Sequence, residues 1–113
     1  MAASVYKFNG TGGGVVWLTA TVPTGRHYQL VSVSIALDAA PTTSENFTIT
    51  LNANAGAEYD VLLYSLDLSV GSTTDLMWSP ESDIILGGGD SIDVAYTNTD
   101  TGTYGVQITM RTV

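Results

Sequence analysis

"GGGDSIDVAYTNTDTGTYGVQITM", residues 87 to 110, alternates apolar and polar side chains twice, at residues 92–96 and at residues 106–110. A period of two places the apolar side chains on one face of a β-strand and the polar ones on the other. Between the two alternations lies NTDTG, residues 98–102, whose Asn, Asp and Gly tolerate the positive φ angles of tight turns. The stretch therefore predicts two amphipathic strands that this turn folds into a hairpin.

The same alternation predicts strands along the rest of the chain. It is equally clear at residues 47–51 and at residues 31–37, where Val31 and Val33 begin the apolar face. Weaker alternations predict four more strands, at residues 5–8, 15–22, 75–79 and 84–86. Turn-forming residues separate the strands at residues 10–14, 23–25, 41–45, 52–56, 71–74, 80–83 and 87–90. Short strands at this spacing predict an all-β fold, an antiparallel sandwich or barrel.

One segment fits two structures. In EYDVLLYSLDLSV, residues 58–70, the apolar residues Tyr59, Leu62, Leu66 and Val70 fall on one stripe of a helix. The same run is also compatible with one or two buried strands, because short apolar runs do not distinguish the two by periodicity. Both alternatives stay open from the sequence.

The length of 113 residues predicts a single domain, residues 1–113, that buries roughly two-thirds of the surface of its unfolded chain. The chain contains no cysteine. This excludes a disulfide framework, a thiolate metal site and a cysteine nucleophile. The stability of the domain must therefore come from packing.

The charge balance is strongly acidic, with 11 Asp and Glu against 3 Lys and Arg, and a net charge of -8. Lys7, Arg26 and Arg111 are too few to displace counterions from a phosphate backbone, so we expect no nucleic-acid partner and no membrane binding. Only 12% of the residues are charged, against about a quarter in a typical protein. A neutral, Thr-rich surface favours contact with other proteins or with glycans.

The segment MAASVYKF has no apolar run of the roughly seven or more residues that a signal peptide needs. No apolar stretch of the chain reaches the roughly 18 residues of a membrane span. We therefore expect a soluble protein that is made in the host cytoplasm and is not exported.

Two loops have the composition of ligand sites, and the sequence argues against both. Residues 98–102 resemble the start of a calcium loop, but the twelfth position is Thr109 where a bidentate Glu is needed. Residues 87–90 are glycine-rich, but no GxxxxGK[ST] pattern or downstream lysine accompanies them. We expect plain turns, with Asp90 accepting hydrogen bonds from local backbone amides. The sequence predicts no metal and no cofactor.

No catalytic set is recognisable. His27 is the only histidine and no GxSxG marks a serine nucleophile. The acid pairs Glu58 with Asp60 and Asp90 with Asp93 could serve a small glycosidase in principle, but exposed solubilising acids are the commoner explanation. We therefore predict that the protein is not an enzyme and has no catalytic residues.

The aromatic residues are the stronger functional signal. The chain has 2 Trp and 6 Tyr, and both tryptophans fall in predicted strands. Core packing explains most of them, but aromatic residues among uncharged polar ones also form protein interfaces and sugar platforms. Four residues are the interface candidates: Trp17, His27, Tyr28 and Trp78.

Several short patterns resemble small virion proteins of tailed bacteriophages. They are PTTSENFTITL at residues 41–51, DLxW at residues 75–78 and a closing YxNTDxxxYGVxI at residues 96–108. The resemblance covers about residues 29–110. It implies a jelly-roll-like or, alternatively, an Ig-like β-sandwich that decorates a phage head or belongs to a tail or fibre.

The resemblance also implies a function and partners. Proteins of this kind bridge neighbouring capsid subunits and often form trimers, so the expected partner is the major capsid protein or another virion protein. The net acidity favours the outer surface of the virion, away from packaged DNA. The alternative function is a receptor- or glycan-binding module of a tail tip or fibre, which the tyrosines, Trp17 and Trp78 favour.

Overall fold

A computed structural model describes residues 4–113, so the first three residues of MAASVYKF lie outside the described part. Residues 4–113 form nine β-strands and one short 3-10 turn, and no α-helix. The strands are β1 Val5–Gly12, β2 Val16–Thr21, β3 His27–Leu37, β4 Asn46–Asn52, β5 Val61–Asp67, β6 Asp75–Trp78, β7 Ile85–Gly87, β8 Ser91–Tyr96 and β9 Tyr104–Thr112. The predicted all-β fold is confirmed.

The strands form two antiparallel sheets that pack as a sandwich. The front sheet has the order β1-β9-β3-β6, and β7 pairs with β3 beyond the end of β6. The back sheet has the order β2-β8-β4-β5. The chain crosses from one sheet to the other at nearly every connection, and β4 with β5 is the one pair of consecutive strands in residues 4–113 that are hydrogen-bonded neighbours.

This order corrects one prediction about the opening stretch. Residues 52–56 do fold β4 back onto β5 as a hairpin. Residues 98–102, in contrast, join β8 of the back sheet to β9 of the front sheet, so the hairpin predicted there is wrong. Alternation shows which side chains are buried, but the neighbours of each strand depend on contacts distant in sequence.

The core lies between the sheets and consists of the inward-facing apolar side chains. Its buried residues are Val16, Ala20, Val22, Tyr28, Leu30, Val33, Ile35, Leu37, Phe47, Ile49, Leu68, Leu86, Ile92, Val94, Tyr96, Val106, Ile108 and Met110. On one side of the sandwich Tyr64 of β5 stacks on Trp78 of β6, with ring centroids 5.7 Å apart. On the other side β1 lies against β2, where Leu18 approaches Gly10. Both open edges of the core are thereby covered.

A bulge in β3 reverses the predicted orientation of Val31. Leu30 faces Met110 and Ser32 faces Thr109, which leaves Val31 as an extra residue without a partner on β9. One extra residue shifts the alternation by one step. Leu30 is therefore buried and Val31 is exposed, where the alternation had placed Val31 on the core face.

The ambiguous segment contains a short 3-10 turn, Ala57–Tyr59, followed by β5. A second bulge lies in β5, since Ile49 faces Tyr64 while Thr50 faces Leu62. The alternative of a helix or helical turn therefore holds only for this single turn, and no longer helix forms. β5 is the edge strand of the back sheet and is only partly buried, where a buried strand was expected.

β1 continues further than predicted. Residues 10–14 were expected to form a turn, but the strand runs to Gly12 and pairs with β9 along its whole length. A Cβ at Gly10 would lie 3.3 Å from Val106 Cγ1. Gly10 therefore permits close packing inside the strand, as glycine does where the chain has no room for a side chain.

Candidate interaction surfaces

The structure separates the four predicted interface residues. Trp17 is 62% exposed on the outer face of the back sheet. His27 is exposed at the start of β3, beside Gly87. Tyr28 is 4% exposed and stacks on Tyr6, with centroids 4.9 Å apart. Tyr28 is thus not available to a partner, because it points to the core one position after the exposed His27.

Trp78 also contributes mainly to packing. Its ring stacks on Tyr64 and lies against the hydrophobic core, and the side chain is half-buried. Leu76 is partly buried on the same face, while Met77 between them is 73% exposed. The exposed apolar residue of this strand is therefore Met77, which is not among the interface candidates predicted from the sequence.

A recess lies beside Trp17 on the outer face of the back sheet, and we call it the Trp17 recess. In the row across the sheet, Trp17 faces Ala95 of β8, and Ala95 faces Thr48 of β4. These short side chains leave a volume of about 220 Å³ next to the indole. The residues that border it are Val15, Trp17, Asn46, Thr48, Ala95 and Thr97.

A wider depression crosses the outer face of the front sheet, and we call it the front trough. Its volume is about 660 Å³, and it is bordered by Asn9, Thr11, Ser34, Ala36, Met77 and Gly105. Its lowest row runs from Thr11 through Gly105 to Ala36. A Cβ at Gly105 would meet no atom within 4 Å, so this position is open to solvent.

Two small residues in the sequence are the signal for the front trough. Gly105 and Ala36 are small residues at the outward positions of two alternating strands, where Thr, Gln or a charged residue is usual. Because they face each other in the register of β9 and β3, their small size combines into one depression. Single-strand patterns do not reveal this, since the register depends on the fold.

Asp100 fastens the loop at residues 98–102 to the loop at residues 41–45. Its Oδ2 accepts hydrogen bonds from the backbone N–H groups of Thr42, at 2.7 Å, and of Thr43, at 3.0 Å. Its Oδ1 accepts bonds from the two hydroxyls, at 3.3 Å and 2.7 Å. Hydrogen bonds from Thr43 first, and then from Thr42, lower the pKa of Asp100 from 3.8 to about 2 because they favour the charged form.

Two more carboxylates hold the same end of the sandwich. Glu45 accepts hydrogen bonds from the N–H and the hydroxyl of Thr99. Asp67 accepts bonds from the hydroxyls of Ser44 and Ser69 and from the Ser69 N–H. The bond from the Ser44 hydroxyl is the main cause that lowers the pKa of Asp67. These acids therefore have structural partners and are more than surface charge.

We expect acid to destabilise the protein through these carboxylates. A pKa that is lower in the folded state adds stability above the unfolded value, near pH 4, and that stability is lost as the pH falls towards 2. The free energy of unfolding, measured with urea at several pH values, should therefore decrease between pH 4 and pH 2. Asp100→Asn should make this decrease shallower, because Asn does not titrate.

The matched control for this titration is Glu81→Gln. Glu81 is exposed and lies outside the loops at residues 41–45 and 98–102. Glu81→Gln removes one negative charge, as Asp100→Asn does, so general charge effects are equal in the two variants. A slope that is identical for Asp100→Asn and Glu81→Gln would contradict the role assigned to Asp100.

In each of the two remaining acid pairs, Glu58 with Asp60 and Asp90 with Asp93, one carboxylate accepts hydrogen bonds from turn amides. Asp90 Oδ2 accepts a hydrogen bond from Gly87 N–H and Asp90 Oδ1 accepts one from Asn54 N–H, both at 2.9 Å. The prediction that Asp90 satisfies local backbone amides is confirmed. Asp60 likewise accepts a bond from Ala53 N–H at 2.8 Å. Asp60 and Asp90 thus stabilise turns through their carboxylates, and Asp60 remains exposed to solvent.

Within residues 4–113, no group of three or more His, Asp or Glu side chains is arranged to hold a metal ion. The same residues contain no helix that is long and apolar enough to cross a membrane. Comparison of the chain with models of protein families, and with curated proteins, gave no match.

Proposed function

We propose that the protein is a structural component of a bacteriophage particle, a head decoration protein that stabilises the capsid through contacts with the major capsid protein or another virion protein. The observation that carries the proposal is the front trough, together with the sequence resemblance. We place the protein on the outer surface of the virion, as a homo-oligomer for which a trimer is favoured, and without catalytic activity.

The order of the strands supports the jelly-roll form of the sandwich within this proposal. With β6 and β7 occupying one edge of β3, each sheet has four columns of strands. A jelly roll has eight strands in two sheets. An Ig-like sandwich instead keeps several consecutive strands as neighbours in one sheet. The repeated crossing between sheets favours the jelly roll.

The front trough has the properties of a protein-docking surface. Its lowest row is formed by Gly105, Ala36 and Thr11, which carry little side chain and no charge. Met77, at its border, is 73% exposed. Protein interfaces are enriched in Met and depleted of charge at their centres. A convex segment of a capsid subunit can fill the trough and cover Met77.

The distribution of charge agrees with docking to protein. The carboxylates of Glu45, Asp67 and Asp100 are occupied by hydrogen bonds at one end of the sandwich. Among residues 4–113, Asp75 is the one charged residue that lines the trough. The trough therefore buries little charge when a partner covers it, which keeps the cost of desolvation low.

The proposal is tested with heads of the encoding phage that lack this protein. Purified protein should co-sediment with these heads and raise the temperature at which they rupture. Gly105→Arg fills the trough from a position with open space, so the variant should fold normally and bind the heads about ten-fold or more weakly. Melting temperatures of both proteins check the folding.

Gly14→Arg is the matched control, because Gly14 also has no atom within 4 Å of an added Cβ and lies outside the trough. It should bind the heads as the unchanged protein does. Failure of the unchanged protein to bind the heads would overturn the proposed function. Equal weakening by Gly105→Arg and Gly14→Arg would overturn the assignment of the front trough.

A further inference from the structure

Trp17 is mostly exposed and packs little against the part of the chain that the structure describes. It is 62% exposed on edge strand β2, while its neighbours Val16 and Leu18 point to the core. Val15 beside it is 69% exposed. An indole that packs against so little of its own chain offers its face to another molecule.

We propose that the Trp17 recess binds one ring of a neutral carbohydrate, with the indole stacked against the ring. The hydrogens on the C–H face of a pyranose ring are weakly positive, and the face of an indole is negative, so the two attract each other while both leave water. Ala95 and Thr48 are short enough to leave room beside the indole in the same row.

The polar groups of the recess match the hydroxyls of a sugar. Asn46 supplies both an amide donor and a carbonyl acceptor, and Thr48 and Thr97 supply hydroxyls. The Thr48 hydroxyl donates to the carbonyl oxygen of Ala95 at 3.4 Å, so its lone pairs are oriented to accept. None of the described residues that border the recess is charged. Such neutral donors and acceptors pair with neutral hydroxyl groups.

The volume and the charge distribution favour a sugar over other ligands. At about 220 Å³, the recess is smaller than the roughly 300 Å³ at which drug-sized pockets begin. A nucleic acid that stacked a base on Trp17 would need cations for its phosphates. Lys7 and Arg111, however, lie on strands of the front sheet, and Arg26 lies in the loop before β3.

A protein partner fits this surface less well than the front trough. A stable protein interface buries roughly 800 Å² on each side. The row next to Trp17 consists of Thr19, Asp93 and Thr50, which are polar. The apolar area around Trp17 is therefore confined to one side chain and Val15, which suits a single ring.

The test is a titration of the full chain with neutral oligosaccharides, beginning with cellohexaose and chitohexaose and continuing with galactose- and mannose-containing ones. Trp17 and Trp78 are the only tryptophans, so two indole N–H signals in an NMR spectrum distinguish them. We expect at least one probe to shift the Trp17 signal and leave that of Trp78, with a Kd of ~1 mM, as is usual for small contacts.

Variants connect the binding to the recess. Trp17→Ala should weaken binding about ten-fold or more and Trp17→Phe less, since Phe keeps an aromatic face. Ile85→Ala removes an apolar side chain that is 53% exposed on β7 of the front sheet, outside the front trough, and should leave binding unchanged. The proposal is overturned if no probe in the set binds, or if Trp17→Ala binds as the unchanged protein does. This result is independent of whether the protein attaches to phage heads.

Discussion

Asn98→Ala is expected to lower the free energy of unfolding by about 2 to 4 kcal/mol, which corresponds to a fall in Tm of about 8 to 16 °C in a domain of this size. Asn98 is 3% exposed. Its amide nitrogen donates to the carbonyl oxygens of Gly14, at 2.8 Å, and Gly102, at 2.9 Å. Its carbonyl oxygen accepts a bond from Gly102 N–H at 3.1 Å. Alanine leaves all three backbone groups without this partner.

The backbone adds to the expected loss. Asn98 has a φ of 56°, in the left-handed region that asparagine tolerates better than alanine does. Asn98→Gly keeps this conformation accessible and removes the same hydrogen bonds, so it should be less destabilising than Asn98→Ala by about 1 kcal/mol. Urea denaturation of the two variants separates the two contributions. A loss below about 0.5 kcal/mol for Asn98→Ala, the range of ordinary surface changes, would contradict the role of this side chain.

A neighbouring substitution should have the opposite sign. Thr101 has a φ of 55°, although a β-branched side chain is strained in the left-handed region. Its hydroxyl bonds only to the adjacent carbonyl oxygen of Asp100 within the described residues. Thr101→Gly should therefore raise the free energy of unfolding by about 0.5 to 1 kcal/mol. Destabilisation by this variant would show that the loop does not hold Thr101 in a strained conformation.

The sequence predicted the strands whose alternation is uninterrupted and failed where one residue is inserted. β8 follows the expected pattern, with Ile92 and Val94 buried. In β3 the bulge at Val31 exchanges the two faces of the strand. The alternation therefore predicts the buried side chains correctly from Val33 onwards and incorrectly before it. A bulge is specified by the partner strand, here β9, and not by the alternation of β3 itself.

The sequence of β2 indicates the orientation of Trp17. In β2, Leu18 and Ala20 alternate with Thr19 and Thr21, so the threonines mark the outer face, and Trp17 belongs to the same set. The recess itself could not be predicted, because Ala95 and Thr48 lie far from Trp17 in sequence. The sequence thus identifies the exposed aromatic residue, and the fold supplies its surroundings.

The sequence shows how many acidic residues the chain has, but it does not show which groups their carboxylates bind. Asp100 and Thr43 are 57 residues apart, yet they share two hydrogen bonds. The NTDTG tract looks like a ligand loop because Asp and Thr oxygens alternate in it. In the folded chain Asp100 accepts hydrogen bonds from the backbone of residues 41–45, and Glu45 accepts one from the backbone N–H of Thr99. The two loops at this end of the sandwich thereby satisfy each other's backbone groups.

Gly88→Ala is expected to lower the free energy of unfolding by about 1 to 3 kcal/mol, the range found for overpacked sites. A Cβ at residue 88 would lie 2.9 Å from Gly25 N and from Thr24 Cα, and 3.0 Å from Pro23 O. All three are backbone atoms, so no rotation of a side chain relieves the contact. The loops must separate, which strains the bond from Gly89 N–H to the carbonyl oxygen of Val22, now 2.8 Å.

The matched controls are Gly14→Ala and Gly105→Ala, where an added Cβ meets nothing within 4 Å. Both should change the free energy of unfolding by about 0.5 kcal/mol or less in urea denaturation. If Gly88→Ala were as mild as these two, the glycines at residues 87–89 would be a flexible connection, as their composition first suggests. The expected difference instead indicates a close contact between two loops, which leaves no room for a side chain at residue 88.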